Sequence, residues 1–281
     1  MTFDRTLRLL LGRIGGHFLV AAVILLFNGC VQTAQNNTNV STGNGLPQSV
    51  DANPEQMANR VPITECQLLF SEEVVARKGI ARQRLMYPSS SRKRLSNSAV
   101  RDGFQAATRN EAMREFNRAW RFNPENPMAF WGAGIVRGCE ALKSTDRDMS
   151  KQCWQDSVKL FEKASSLLKT LPPVWQCEFQ IDLAVTYGGY GQFLQKESME
   201  QAKVYFEKAE AILLKYQNCS IFQPDQNRAI NIRVIWELKK VYSAWGKSDE
   251  ADKYDKLFYK ATTAQERKSI LETVQRSKWE E

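Results

Sequence analysis

The side chains that could carry chemistry in this chain of 281 residues are cysteines and carboxylates. The single histidine, His17, lies within the first 29 residues, which we expect to be removed, so the mature chain would have none. This composition excludes Ser-His-Asp and Cys-His catalysis and histidine-based metal sites. We therefore expect no metal ion and no other cofactor.

Carboxylate pairs occur at helical spacing beside lysines, as in Asp249 with Asp252 and Glu207 with Glu210. We interpret them as solvated, salt-bridged helix faces rather than as the acid and base of a glycoside hydrolase. The glycine-rich stretch 188–191 lacks the following Lys and Ser or Thr of a phosphate-binding loop, so we interpret it as a flexible connection. No pattern in the chain predicts an enzyme.

The cysteines after residue 30 form no Cys-x2-Cys pair that would suggest zinc or redox chemistry. Cys139 and Cys153 lie at facing ends of two predicted antiparallel helices, and Cys177 and Cys219 are related in the same way. Both pairs are disulfide candidates if the chain is in an oxidising compartment, which would leave Cys66 free or paired between chains. The alternative is that all five are small buried hydrophobes.

The N-terminus has the features of an export signal. Arginines precede an apolar run of ten residues, 18–27 (FLVAAVILLF). Ten helical residues extend about 15 Å, half of what a membrane span needs, so a cleaved signal peptide over residues 1–29 is predicted. The stretch from Phe27 to Cys30 resembles a bacterial lipoprotein signal, and an ordinary secretory signal is the alternative. The resemblance implies acylation of Cys30. With Val31 following, it also implies an outer-membrane anchor that faces the periplasm.

Two further segments precede the predicted helical domain of residues 98–281. Residues 30–59 are rich in Gln, Asn, Thr and Ser and should form a flexible tether after Cys30. Residues 60–97 form a basic helix or loop segment, and residues 60–121 hold 13 Lys and Arg against 6 Asp and Glu. The basic patch comprises Arg77, Lys78, Arg82, Arg84, Arg92, Lys93 and Arg94.

The basic patch could bind anionic lipid, a cell-wall polymer or an acidic partner, or it could be a solvated helix face. Nucleic acid would attract the same charge, but an exported chain would rarely meet it. We therefore expect no nucleic-acid partner.

Residues 110–134 organise the rest of the chain. Ala112, Phe116 and Ala119 recur at steps of four and three, so they share one helical face, and the prolines at 124 and 127 end this helix and begin the next. This pattern resembles the second helix of a tetratricopeptide repeat, followed by the first helix of another. The resemblance implies an all-α solenoid of about four helical hairpins with a charged C-terminal capping helix near residues 264–278.

Three later hairpins extend the resemblance. Their second helices carry Ser157, Phe161 and Ala164, then Ala202, Phe206 and Ala209, then Ala251 with Asp255 in place of Phe. Extra residues at 144–150 and around 188–200 are expected to lengthen the connections between helices. Helices are expected over 129–143 and 153–169, and the first hairpin is expected to begin at residue 98.

The resemblance also implies a binding groove. In tetratricopeptide proteins the first helices of successive repeats line a concave groove that takes a peptide or a helix. The matching positions here are Met128, Trp131, Ile135, Glu178, Ile181, Val185, Arg233, Trp236 and Lys240. Aromatic and Arg side chains suit interface anchors, although Trp131 and Trp236 could equally belong to the core.

These features favour a lipid-anchored, non-catalytic scaffold or adaptor that binds protein partners in assembly of the cell envelope. The alternative function is binding of cell-wall polymer or anionic lipid through residues 77–94. An enzyme with an unrecognised carboxylate site is the third hypothesis, and nothing in the sequence supports it beyond the presence of carboxylates.

Overall fold

The computed structural model describes residues 80, 82–83, 86–106, 108–217, 224–268 and 270. Within these residues there is no β-strand, and the all-α prediction is confirmed. The α-helices of 14 residues or more are α1 (Ser89–Phe104), α2 (Arg109–Phe122), α3 (Pro127–Lys143), α4 (Arg147–Ser165), α5 (Pro173–Leu194), α6 (Met199–Tyr216), α7 (Pro224–Trp245) and α8 (Ser248–Ala261). A 3-10 turn, Leu168–Thr170, lies between α4 and α5.

Much of the N-terminal third of the chain lies outside this description. The predicted signal peptide, Cys30, the tether and Cys66 all fall there, so they remain predictions. Among the residues that are described, no helix is both long enough and apolar enough to cross a membrane.

Successive helices pair in order along the chain. The pairs α1 with α2, α3 with α4, α5 with α6 and α7 with α8 form the most extensive contacts. The first helix of each pair also contacts the first helix of the next, so α1, α3, α5 and α7 form one continuous side of the molecule. We call this side the first-helix face. One apolar core continues from α2 to α8.

Local sequence explains where several helices begin. Side-chain oxygens of Thr108, Asn126, Asp146 and Ser198 accept hydrogen bonds from backbone N–H groups in the first turns of α2, α3, α4 and α6. These caps satisfy donors that have no partner within the helix. Proline occupies the first position of α3 and of α5, where no backbone donor is needed.

A repeated contact joins first helices to second helices. Phe116 of α2, Phe161 of α4 and Phe206 of α6 are all buried and are spaced 45 residues apart. Each packs against a glycine of its own first helix: Gly103, Gly134 and Gly191 respectively. Each also contacts the first helix of the next hairpin, through Gly132, Phe179 and Trp245. Each phenylalanine therefore packs between its own first helix and the first helix of the next hairpin, and the positions contacted along those helices differ from one hairpin to the next.

The glycines near residue 190 are not in a connection, contrary to the sequence interpretation. Gly188, Gly189 and Gly191 all lie within α5. A Cβ on Gly189 would lie 2.4 Å from Cη2 of Trp154, and one on Gly188 would lie 3.0 Å from Cγ2 of Val241. Glycine at these positions therefore lets neighbouring helices approach closely.

Two further expectations about helix bounds are wrong. The first hairpin begins at Ser89 rather than at residue 98, because α1 includes the serine-rich and basic stretch before it. The connection expected over 144–150 is shorter, since α4 begins at Arg147. The extra residues of this chain, relative to a 34-residue repeat, therefore lengthen helices more than they lengthen connections.

An apolar contact and an ion pair join the last hairpin to the start of the predicted capping helix. Residues 264–268 are helical, and Ile270 is buried against Ile232 and Phe258. Arg228 donates two hydrogen bonds, of 2.7 and 3.0 Å, to the carboxylate of Glu266. The rest of the capping helix predicted to residue 278 lies outside the described residues.

The second hairpin holds two disulfide-bonded cysteines, Cys139 and Cys153. Two serines of α4 fix the register against α3, since Ser150 Oγ donates to the Ala141 carbonyl and Ser157 Oγ to the Gly134 carbonyl, each at 2.8 Å. This register sets Cys139 opposite Cys153, and both are buried. We infer that they are bonded to each other.

The second cysteine pair stays a prediction. Cys177 is buried in the first turns of α5. Its expected partner, Cys219, lies outside the described residues.

Replacing Gly132 by Ala should destabilise the fold. The new Cβ would lie 2.2 Å from Cε1 and Cζ of the buried Phe116 ring, so the ring or the helix must shift, at a cost of about 1–3 kcal/mol. Gly138→Ala is the matched control in the same helix, because its Cβ would meet nothing closer than 3.5 Å. Chemical unfolding of both variants measures the difference, and equal stabilities would contradict the close contact.

The inferred disulfide predicts a specific cross-linked peptide. Trypsin cleavage of the unreduced chain should give peptide 138–143 joined to peptide 152–159, and reductant should separate them. Reduction should also lower the free energy of unfolding by about 3 kcal/mol, the value for a closed loop of about 15 residues. Mass spectrometry that finds both cysteines alkylated without reductant, or joined to other cysteines, would disprove the pairing.

Candidate functional site

Four polar residues form a cluster where α3, α5 and α7 meet on the first-helix face. Trp131 Nε1 donates to Asp182 Oδ2 at 2.8 Å. Arg233 binds both carboxylates of α5: it donates to Glu178 Oε2 at 2.5 Å and to Asp182 Oδ1. We call Trp131, Glu178, Asp182 and Arg233 the polar cluster. It links three first helices that come from three different hairpins.

The polar cluster is largely removed from water. The side chain of Asp182 is 4% exposed, and those of Glu178 and Arg233 are 13% and 14% exposed. Burial raises the pKa of both carboxyls above their usual range, and Arg233 offsets part of that rise. Burial alone would lower the pKa of Arg233, but the two carboxylates outweigh it, so the guanidinium stays charged.

The geometry of the polar cluster favours a structural role. The guanidinium holds two carboxylates from the neighbouring helix, and the indole N–H occupies one further oxygen of Asp182. These acceptors are committed to partners within the protein. Burying this charge is stabilising only while the pairing is complete. The cluster therefore fixes the spacing of α3, α5 and α7.

Aromatic rings pack around the indole of the polar cluster. The ring of Trp131 makes edge-to-face contacts with Phe104, Trp175 and Phe179, with centroids 5.6–6.2 Å apart. Trp131 is thus a core residue, which settles the choice between groove and core that its sequence position left open.

Four of the nine positions predicted to line a groove pack inside the protein. Trp131, Ile135 and Ile181 are buried in the main core. Trp236 packs on Phe258 of α8 with ring centroids 4.9 Å apart. The reason is that α3 and α5 each contact the first helices on either side as well as their own second helices.

The remaining predicted groove positions keep some exposure. Met128 and Val185 are partly buried, and Glu178 and Arg233 belong to the polar cluster. Lys240 is exposed and pairs with Glu237 at 3.0 Å. Apart from Met128 on α3, the accessible part of the predicted groove therefore lies on α5 and α7.

The structure describes part of the predicted basic patch. Lys93 and Arg94 are exposed in the first turns of α1, Arg92 is partly buried beside them, and Arg82 is exposed. Arg77, Lys78 and Arg84 lie outside the described residues.

A second buried charge cluster lies between α3 and α4, and the sequence analysis did not identify it. Arg137 Nη1 donates to Glu140 Oε2 at 2.6 Å, and Gln152 Nε2 donates to Asp156 Oδ1 at 2.9 Å. Burial raises the pKa of Glu140 and of Asp156, and Arg137 lowers both in part. Arg137 and Asp156 are almost completely buried. Each of these hydrogen bonds lies within one helix, and the charges of Arg137 and Asp156 attract each other between α3 and α4.

Asp182 is the main residue of the site that sequence reasoning missed. It stands in the run from Phe179 to Leu183, where a charged residue between apolar neighbours breaks the core pattern. That break was the available signal, because a buried Asp requires a partner. Its partners are 51 residues away on either side, so no local spacing identifies them.

Within the described part of the chain, no group of three or more His, Cys, Asp or Glu side chains is placed to hold a metal ion. The carboxylate Glu207 lies 3.7 Å from Lys203 on the exposed side of α6, an i, i+4 pair at the surface. This is the solvated arrangement that its spacing predicts.

Removing the cation of the polar cluster should strongly destabilise the protein. Arg233→Met leaves Glu178 and Asp182 buried without a counter-charge, which should cost about 3–5 kcal/mol in unfolding free energy. Lys203→Met, which breaks the exposed pair with Glu207, should change stability by less than about 0.5 kcal/mol.

A triple variant separates lost charge balance from lost packing. Adding Glu178→Gln and Asp182→Asn to Arg233→Met removes the uncompensated charges, and denaturant titration should show that most of the lost stability returns. If Arg233→Met costs no more than Lys203→Met, the polar cluster does not hold the helices together.

Comparisons with known proteins provide no relative from which a function could be transferred. No protein-family model matches the chain, and neither a curated protein nor a solved structure matches it. Any function must therefore be argued from the residues and geometry of this chain.

Proposed function

We propose that this chain is a non-catalytic scaffold that binds protein partners during assembly of the bacterial cell envelope. Acylation at Cys30 would anchor it to the outer membrane, facing the periplasm. The observation that carries the proposal is the ordered contact of α1, α3, α5 and α7, which gives one continuous face built from four hairpins. Stacked helical hairpins of this kind serve as extended binding surfaces.

Within the all-α class, we propose that the architecture is a solenoid similar to that of tetratricopeptide proteins. Its support is the regular 45-residue spacing of Phe116, Phe161 and Phe206 and the contact of each ring with a glycine of its own first helix. A tetratricopeptide unit has 34 residues, so each of these units would be an extended version with longer helices.

Export is supported by the disulfide-bonded state of Cys139 and Cys153. Disulfides persist in oxidising compartments such as the periplasm and are rare in the cytosol. This agrees with the predicted signal peptide, which rests on the sequence alone.

The partner surface proposed is the accessible part of α5 and α7. Val185 offers apolar surface there, Lys240 offers a charge, and the polar cluster beside them holds the two helices at a fixed separation. A rigid scaffold limits the entropy that is lost on binding. An envelope protein that presents an apolar and acidic segment would complement this surface.

Crosslinked capture from bacterial envelopes tests the proposal. The intact chain should recover a defined set of envelope proteins, and the double variant Val185→Gln/Lys240→Glu should lose them. The matched control is Val204→Gln/Lys203→Glu, which makes the same changes on the exposed side of α6. A Cys30→Ala version tests whether anchoring is required for the encounter.

Two outcomes would contradict the scaffold. One is that both double variants lose the partners equally. The other is that only lipid or cell-wall polymer is recovered and that Lys93→Glu/Arg94→Glu removes it. Substitution is preferable to deleting residues 77–94, because the deletion would remove the first turns of α1.

A further inference from the structure

The first hairpin carries an excess of positive charge. Between Ser89 and Phe122 there are eight Lys and Arg against three Asp and Glu, within a chain whose net charge is +8. The hairpin is thus the most basic of the described pairs of helices relative to its length. Such an excess attracts anionic surfaces over about a Debye length.

Two of the three acids are already shared between arginines. Asp102 lies 4.0 Å from Arg101 and 2.9 Å from Arg118, and Glu115 lies 3.9 Å from Arg114 and 2.9 Å from Arg118. Three arginines therefore share two carboxylates, so this part of the hairpin surface remains cationic. The basic residues at the other end of α1 have no acid in the first turn of their helix.

The N-terminal end of α1 combines exposed cations with exposed apolar surface. Lys93 and Arg94 are exposed in the first turns, and just before the helix Met86 is 52% exposed and Tyr87 is 36% exposed. The ring of Tyr87 rests edge-on against Phe122, with centroids 6.0 Å apart, which holds it at this end of the hairpin. We call Met86, Tyr87, Lys93 and Arg94 the cationic apolar edge.

Helix stability does not account for these cations. Lys93 and Arg94 are the fifth and sixth residues of α1, far from its C-terminus, where the helix dipole would stabilise a positive charge. The first turn holds no acidic residue, and no side chain caps the helix. An anionic surface outside the protein would favour this arrangement of charge.

We infer that the cationic apolar edge docks on the surface of an anionic lipid bilayer. Lys and Arg near such a surface are attracted to its headgroups, while Tyr and Met side chains enter the boundary between headgroups and acyl chains. A soluble acidic polymer would satisfy the two cations but would leave Met86 and Tyr87 in water. The apolar pair is therefore what favours a bilayer. This inference does not depend on the proposed scaffold function.

Vesicle binding tests the charge contribution. The probe is the chain from residue 30 onward with Cys30→Ser, so that no acyl chain contributes, mixed with phosphatidylcholine vesicles with or without one quarter phosphatidylglycerol. We expect sedimentation with the anionic vesicles only. Lys93→Gln/Arg94→Gln should lower the partition coefficient about 30-fold, from roughly fivefold for each cation. Lys256→Gln/Lys260→Gln on α8 is the charge-matched control and should change it less than about twofold.

A second pair of variants tests the apolar contribution. Met86→Ser should lower partitioning roughly tenfold, because the buried part of the side chain is lost from the interface. Met199→Ser, at an equally exposed methionine on α6, should have no effect.

Three results would overturn the inference. The chain could bind neutral vesicles as tightly as anionic ones, a variant and its control could lose the same amount of binding, or Met86→Ser could bind anionic vesicles as tightly as the unchanged protein. If the chain binds soluble polyglutamate as tightly as the vesicles and Met86→Ser changes neither, the edge is a site for acidic polymer and not for a bilayer.

Discussion

The rest of the structure depends on the space left by a few glycines, which have no side chain. Phe116, Phe161 and Phe206 can lie between consecutive hairpins only because Gly103, Gly134 and Gly191 leave room for their rings. Close approach brings the first helices into contact with one another, and this contact gives α3 and α5 neighbours on several sides. The buried tryptophan, the polar cluster and the narrow accessible surface all follow from it.

The periodicity of apolar residues was sufficient to predict an all-α fold, but it was not sufficient to identify the polar cluster. The steps from Ala112 to Phe116 to Ala119 place three small or aromatic side chains on one buried face, and they are buried as expected. The start of α1 was missed because serine and basic residues give no apolar period. That helix is held by distant contacts instead, such as the hydrogen bond from Ser96 Oγ to the Ala119 carbonyl at 2.8 Å.

The candidate site could not be predicted because its partners are distant in sequence. A short cluster of glycines suggests a turn when only the sequence is known. In the structure Gly189 faces the ring of Trp154 on another helix, and that contact cannot be read from the local sequence. The resemblance to tetratricopeptide proteins predicted that Trp131 and Ile181 line an open groove, because the first helices of those shorter repeats line one. In this chain α3 and α5 contact the first helices on either side as well as their own second helices, and these contacts bury those positions. A residue such as Asp182 is recognisable as unusual, but its ligands are set only by how the hairpins stack.

The neighbour-to-neighbour order of helix contacts has a consequence for how the chain acquires its structure. Each extensive contact joins helices of the same hairpin or of adjacent hairpins, and the polar bonds to Asp182 and Glu178 connect residues no more than 55 positions apart. Chains with such short-range contacts order quickly and can do so from one end. A polypeptide that emerges gradually, as every chain does from the ribosome, can therefore complete each hairpin against the one before it, without waiting for its C-terminus.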